Sequence, residues 1–119
     1  MKKKNPLIRK NNLLWGKTIH KKGYCERCKR KGLNYNAHHI KCKNRYPRLR
    51  HEIRNGVLLC VDCHYWAHAD PIQFSEWFKK ERPKDWKWLK EQTKATGKVI
   101  TYQGLEKTYK SLILEQGIT

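Results

Sequence analysis

Two pairs of cysteines constrain this chain more than anything else in it: Cys25-Glu26-Arg27-Cys28 and Cys60-Val61-Asp62-Cys63. In a C-x-x-C knuckle the backbone turns tightly and presents two sulfurs along one edge of a tetrahedron. Two such knuckles, about thirty residues apart, supply the donor set of a structural zinc ion. A four-thiolate cage of this kind ties two distant segments together, and everything between them must be built around it. Arg27, Lys29 and Arg30 flank the first pair and would help keep the thiols ionised. Two disulfides or a redox C-x-x-C are the competing readings, and the second lacks the βαβ pattern that carries redox pairs. Cys42 is left over and reads as a small packed or exposed residue, with a role as substitute ligand the lesser reading.

The composition calls for such a staple. A chain of 119 residues makes one domain, with at most a small appendage. Its aliphatic residues are sparse, and a domain this small buries a limited core. The 28 Lys and Arg against 10 Asp and Glu leave a charge of +18, which points to a polyanionic partner, nucleic acid or an acidic membrane surface. The membrane reading is weak: the longest apolar runs, 57–61 and 112–114, fall far short of the ~20 residues that span a bilayer. No apolar stretch follows Met1-Lys2-Lys3-Lys4, so a signal peptide is not expected. The expectation is a nucleic-acid protein of the cytoplasm. The charge is also uneven. Residues 1–31 carry 12 Lys and Arg against one acid, Glu26. Lys2, Lys3, Lys4, Arg9 and Lys10 would meet backbone phosphates without regard to sequence. A solvated tail is the bland alternative.

Pattern and punctuation place the elements. Asn11-Asn12 can cap a short helix carrying Leu14, Trp15, Thr18 and Ile19, ended by Lys22-Gly23. Residues 36–41 and 56–61 are β-prone, joined by a basic segment from Lys43 to Arg54, and Asn55-Gly56 is a turn signal. The stretch 62–68 can be a helix opening at Asp62. Asp70-Pro71 opens another that runs to about Arg82 with Ile72, Phe74, Trp77 and Phe78. Pro83 opens a third with Trp86, Leu89 and Thr93, broken by Gly97. Thr101 caps a last helix with Leu105, Tyr109, Leu112 and Ile113, stopped by Gly117. The aromatics of 74–88 read as core packing rather than as a platform for bases.

Four of six histidines stand in an informative arrangement. His38 and His39 are adjacent on an expected strand, where neighbours point to opposite sides. They cannot together chelate one ion, so one can bind metal while the other does something else. His64 and His68, four apart on an expected helix, share a face, which is a common metal-binding spacing. His64 directly follows Cys63, so one short helix serves the cysteine cage and the histidines alike. The alternatives are scattered polar residues or a zinc finger completed by one His, and the finger spacing is absent. His20 and His51 read as bystanders.

The run Gly23-Tyr24-Cys25-x-x-Cys28, Ala37-His38-His39-Ile40, Asn55-Gly56-Val57-Leu58-Leu59-Cys60-x-x-Cys63-His64, then His68, resembles the HNH endonucleases. It is most similar to the small zinc-knuckle HNH proteins of bacteriophages and prophages. The resemblance implies an α+β fold, the ββα-metal or His-Me finger core, with a tetracysteine zinc knuckle and flanking helices. It divides the chain into a basic arm (1–14), a nuclease domain with structural zinc (15–82) and a helical appendage (83–119). It implies His39 as general base, Asn55 as the residue that pins the loop, and His38 and His64 as metal ligands. His68 matches a further ligand that many relatives lack. Cys25, Cys28, Cys60 and Cys63 match the structural zinc pairs. The chain departs from many relatives in having Lys29 where they have Gly and Cys42 where they have Pro.

The activity implied by this resemblance is metal-dependent hydrolysis of DNA phosphodiesters, leaving 5′-phosphate and 3′-hydroxyl ends. A neutral imidazole is a suitable base near neutral pH, and its other ring nitrogen needs an acceptor, such as a carbonyl of the loop that Asn55 fixes. Two or three histidines leave coordination positions open to phosphate oxygens. Imidazoles favour Mn2+, Ni2+ or Zn2+, while the resemblance adds Mg2+. Arg45, Arg48, Arg50 and Arg54 are candidate phosphate clamps. DNA is the expected partner, and phage proteins of this type can work beside the DNA-packaging terminase. The competing functions are a non-catalytic zinc-knuckle nucleic-acid-binding protein and an assembly accessory. An intact His38, His39 and His64 set favours the enzyme.

Overall fold

The order of elements is α1 (Pro6–His20), β1 (Tyr35–His39), β2 (Gly56–Cys60), α2 (Val61–Ala69), α3 (Pro71–Glu81), α4 (Pro83–Ala95) and α5 (Tyr102–Glu115) in a computed structural model that describes residues 6–95 and 101–117. Two single turns of 3-10 helix, Pro47–Leu49 and Ile53–Asn55, shape the segment between the strands. The fold is α+β, and β1 and β2 pair antiparallel with Tyr35 opposite Cys60 and His39 opposite Gly56.

A two-stranded antiparallel ribbon usually shows one face to water, and its sequence then alternates. Here all five residues of β2 are buried. Gly-Val-Leu-Leu-Cys is a continuous apolar run because helices cover both faces. On one side Leu58 packs with Trp15 and Ile19 of α1 and Leu112 of α5. On the other, Val57 and Leu59 join Ala67, Phe74, Phe78 and Leu89 from α2, α3 and α4. Each fully buried Leu or Phe contributes about 1.5–3 kcal/mol. Trp77, Trp86 and Trp88 lie partly buried against this second cluster, as core packing requires.

Helix starts follow the capping chemistry. The Asp70 side chain accepts from the Gln73 amide ahead of Pro71, and Thr101 accepts from Gly104. Cys60 caps α2 through its sulfur, which accepts from the Cys63 amide. Two expectations are corrected. α1 begins at Pro6, so Asn11 and Asn12 lie inside it and bond elsewhere: the Asn11 amide nitrogen donates to the Leu105 carbonyl at 3.1 Å. Gly56 is also no turn residue, because its backbone is ordinarily extended. It must be glycine because a Cβ there would lie 2.4 Å from Ile19 Cδ1 and 2.7 Å from Trp15 Cζ2. The Lys2, Lys3 and Lys4 cluster and the Gly97 helix stop lie outside the described residues. Among the described residues, no helix is long and apolar enough to cross a membrane.

Candidate functional site

Cys25 and Cys28 from the first knuckle meet Cys60 and Cys63 from the end of β2 and the start of α2. Their sulfurs all lie within 4.8 Å of one another. Cys28 Sγ and Cys60 Sγ are 3.9 Å apart, and none of the five cysteines is in a disulfide. A zinc–sulfur bond of about 2.3 Å makes the edge of a tetrahedron about 3.8 Å, so the spacing suits zinc and not an S–S bond. The amides of Cys28 and Cys63 donate to Cys25 Sγ and Cys60 Sγ, each at 3.5 Å, as knuckles do. Arg30 Nε donates to Cys28 Sγ at 3.3 Å and pulls that thiol down to about 6. Burial instead pushes Cys63 up to about 12, against the pull of Arg27. A buried thiol of that kind becomes a thiolate ligand only with a cation at hand, which a bound metal provides. Arg27 Cζ lies over the Trp66 ring, 3.6 Å from its centre, and Nη1 donates to Cys63 Sγ at 3.6 Å.

The first knuckle is fastened to β2 through Glu26. Its amide donates to the Leu58 carbonyl at 2.8 Å, and its Oε2 accepts from the Leu58 amide at 2.7 Å. The free edge of β2 is thereby closed. Arg82, at the junction of α3 and α4, donates to the Gly56 carbonyl at 2.7 Å and reaches Glu26 Oε1 at 3.5 Å. Sequence reasoning missed both residues. A signal for Glu26 was present, since it is the one acid among the first 31 residues and stands between two cage cysteines.

The hairpin sends its two histidines to opposite faces. His38, opposite Val57, faces α2 and α3. Its ring centre lies 5.1 Å from His64, 5.0 Å from His68 and 4.9 Å from Phe74. His64 Nε2 and His68 Nε2 are 3.0 Å apart, and the three residues can hold a metal ion together. Burial, reinforced by His64 and His68, holds His38 down to about 3, and burial also lowers His64. Neutral imidazoles keep the lone pairs that a metal needs. His68 is exposed and His38 and His64 partly buried, so the cluster opens to solvent at one end.

His39, opposite Gly56, faces α1. Its Nε2 lies 2.8 Å from the Arg50 carbonyl. A carbonyl only accepts, so Nε2 carries the proton and Nδ1 the lone pair. The His39 pKa is lowered, chiefly by burial. Asn55, fully buried, fixes the loop that supplies this carbonyl. Its Oδ1 accepts from the Lys41 amide at 2.7 Å, and its Nδ2 donates to the carbonyls of Lys41 and Leu49 at 3.1 and 3.0 Å.

The four arginines of this loop divide. Arg45 and Arg48 are exposed. Arg50 Nε donates to Asn12 Oδ1 at 3.0 Å. Arg54 stacks on Trp88 at 4.8 Å and pairs with Asp85 at 4.0 Å. Cys42 is exposed. His51 is buried, with Nε2 2.6 Å from Asn12 Oδ1, and is a structural part of the loop. A cleft of about 610 Å3 lies between this loop and α5, lined by Arg48, His51, Arg54 and Lys107 among others, and it includes none of the clustered ligands.

Residues 25–70 match the family model described as HNH endonuclease. No curated protein and no solved structure matches the chain. Both clusters and the hairpin lie within the stretch that is similar to the HNH endonuclease family.

Proposed function

We propose that the protein is a metal-dependent DNA endonuclease in which His39 is the general base and His38, His64 and His68 hold one catalytic divalent ion. The observation that carries this reading is the division of the adjacent histidines. One joins two imidazoles from α2, and the other is hydrogen-bonded through Nε2, with its Nδ1 lone pair left for a proton.

Hydrolysing a phosphodiester needs an activated water and compensation for charge that builds on phosphorus and on the departing 3′ oxygen. His39 Nδ1 takes the proton of the attacking water, while the Arg50 carbonyl keeps the ring in the tautomer that can do so. A divalent ion bound by the three histidines would act as a Lewis acid on the phosphate oxygens. Asn55 serves by holding the loop and so the Arg50 carbonyl. Arg45 and Arg48 suit contacts to flanking phosphates, being exposed on the same loop. Arg54 and Arg50 are engaged within the fold and contribute mainly to its shape. The four cysteines bind zinc for structure and take no part in the reaction.

The test is nicking of supercoiled plasmid with added Mg2+, Mn2+, Ni2+ or Zn2+, with and without chelator, for wild type and His39→Ala. Cleavage that needs metal and falls by about 10²-fold or more in His39→Ala is the expected result. DNA binding with no cleavage under any of these metals would overturn the reading in favour of a non-catalytic zinc-knuckle binder.

A further inference from the structure

We infer that α1, which precedes the matched domain, is a working part of the site: Trp15 is a positioning residue that fixes the plane of the His39 ring, and Asn12 fixes the loop that fixes its edge. The inference rests on His39 being the base.

An imidazole at the end of a strand is not held by its backbone, since χ2 of His is a broad, two-fold torsion. The bond from Nε2 to the Arg50 carbonyl fixes one point on the ring edge. The ring can still roll about that bond. Trp15 removes the freedom: its ring lies parallel to His39, with centroids 4.1 Å apart and an interplanar angle of 8°. Trp15 is itself fixed. It is buried, and its Nε1 donates to the Glu52 carbonyl at 2.9 Å. Edge and face are therefore both anchored to the loop of residues 47–54.

Asn12, one turn before Trp15, holds the same loop. Its Oδ1 accepts from Arg50 Nε at 3.0 Å and lies 2.6 Å from His51 Nε2. Arg50 is the residue whose carbonyl receives His39. The approach of α1 depends on Gly56, the strand partner of His39. Any side chain there would meet Trp15 and Ile19 and move the helix off the hairpin. Three features of the sequence thus converge on one ring: an indole, an amide one turn earlier, and a glycine across the ladder.

Four variants test this: Trp15→Leu, Trp15→Phe, Asn12→Ala and Gly56→Ala. Each is measured three ways. Affinity for DNA is titrated with the cage zinc in place and no added divalent ion. The single-turnover cleavage rate is taken at saturating DNA. The His39 tautomer is read from its ring 15N signals at pH 8, where the ring is neutral, in protein that keeps its cage zinc and has no added divalent ion. Trp15→Leu should keep DNA affinity within about 2-fold and lose about 10- to 100-fold in rate, the scale of a misplaced catalytic group. Its His39 signals should shift from one tautomer to a mixture. Trp15→Phe keeps a flat face without the indole bond and should recover most of both losses. Asn12→Ala and Gly56→Ala should fall between: the first leaves the Trp15 and His39 side chains in place, and the second displaces Trp15 without altering it chemically. If Trp15→Leu does not fold, Asn12→Ala decides, because Asn12 contributes little apolar packing. Wild-type rate and a wild-type tautomer signal in the folded variants overturn the inference. If wild type itself cuts no DNA, the proposed activity falls. The tautomer arm then still decides whether α1 holds the ring.

Discussion

The four-thiol cage and the three-histidine cluster share α2 and are built to opposite specifications. In the cage, Cys25, Cys60 and Cys63 are nearly inaccessible, at 0, 2 and 3 % exposure. Four donors complete a tetrahedron, and backbone amides and two arginines satisfy the sulfurs. Nothing is left for a substrate. The cluster has three donors, and His68 is exposed. Positions remain open on any ion of higher coordination, and neighbouring Phe74 supplies an apolar wall rather than a ligand. A closed site stabilises, while an open one can meet a phosphate. The difference comes from where the donors stand. The cysteines sit at the two knuckles, which the fold brings together from distant segments. The histidines project from the end of β1 and from successive turns of α2.

The largest effect expected from breaking this contrast falls on the cage. Cys25→Ser or Cys63→Ser should lose zinc and leave the domain unfolded or aggregated. Structural zinc contributes about 10 kcal/mol or more, on the scale of a whole domain's stability. His38→Ala and His64→Ala should stay folded and keep one zinc per chain by elemental analysis. A cage variant that melts like wild type would make the two sites equivalent and the contrast false.

Next in size is catalysis. His39→Ala should lose about 10²- to 10⁴-fold in cleavage with metal content and DNA affinity kept. His38→Ala should lose the catalytic ion as well. His68→Ala should be milder than His38→Ala, because His68 is the most exposed of the three. Equal losses for the two would remove that ordering.

Acid should sharpen the picture on the loop whose Arg50 carbonyl holds His39. Burial holds His51 down to about 4, with Arg50 and His39 adding to it. The unfolded chain takes up that proton near pH 6.5 and the folded chain resists it. His51 stability is therefore complete above about pH 6.5 and is lost as pH falls toward 4. The full loss is on the order of 3 kcal/mol. Melting curves of wild type and His51→Asn should converge as pH drops over this window, whereas the loss of zinc from protonated thiols affects both alike. A constant gap would show that His51 is not held neutral.

The smallest effect concerns the basic terminus. Removing residues 1–5 takes away Lys2, Lys3 and Lys4 and leaves α1 whole. DNA binding should weaken for all sequences alike, and the salt slope should fall by up to ~0.9 for each phosphate that is no longer neutralised. Single-turnover cleavage at saturating DNA should not change. An unchanged slope would mean that these lysines meet no phosphate.

Much of this was legible along the chain. Cysteine spacing gave the cage, because the geometry of a knuckle is local. Strand alternation separated His38 from His39, and helical spacing joined His64 to His68, for the same reason. Asp70-Pro71, Thr101 and Pro83 announced helix starts through capping chemistry that needs only neighbours. Pairings between residues far apart could not be read this way. Asn11 and Asn12 look like caps and are tertiary connectors inside α1. Asn55-Gly56 looks like a turn, yet Asn55 staples a loop and Gly56 makes room for a helix from the other end of the domain.

The sequence by itself determined the donor sets, the order of elements and the opposition of the two histidines, since each depends on bond geometry over a few residues. Only the tertiary structure decided which helix covers His39, that Glu26 and Arg82 fasten the knuckle to β2, and that Trp15 lies flat on His39. Those choices turn on which apolar face of the hairpin each helix covers. Burial is non-directional and specifies that both faces be covered, not by what. The partner was settled where shape allowed close approach, at a glycine with no side chain.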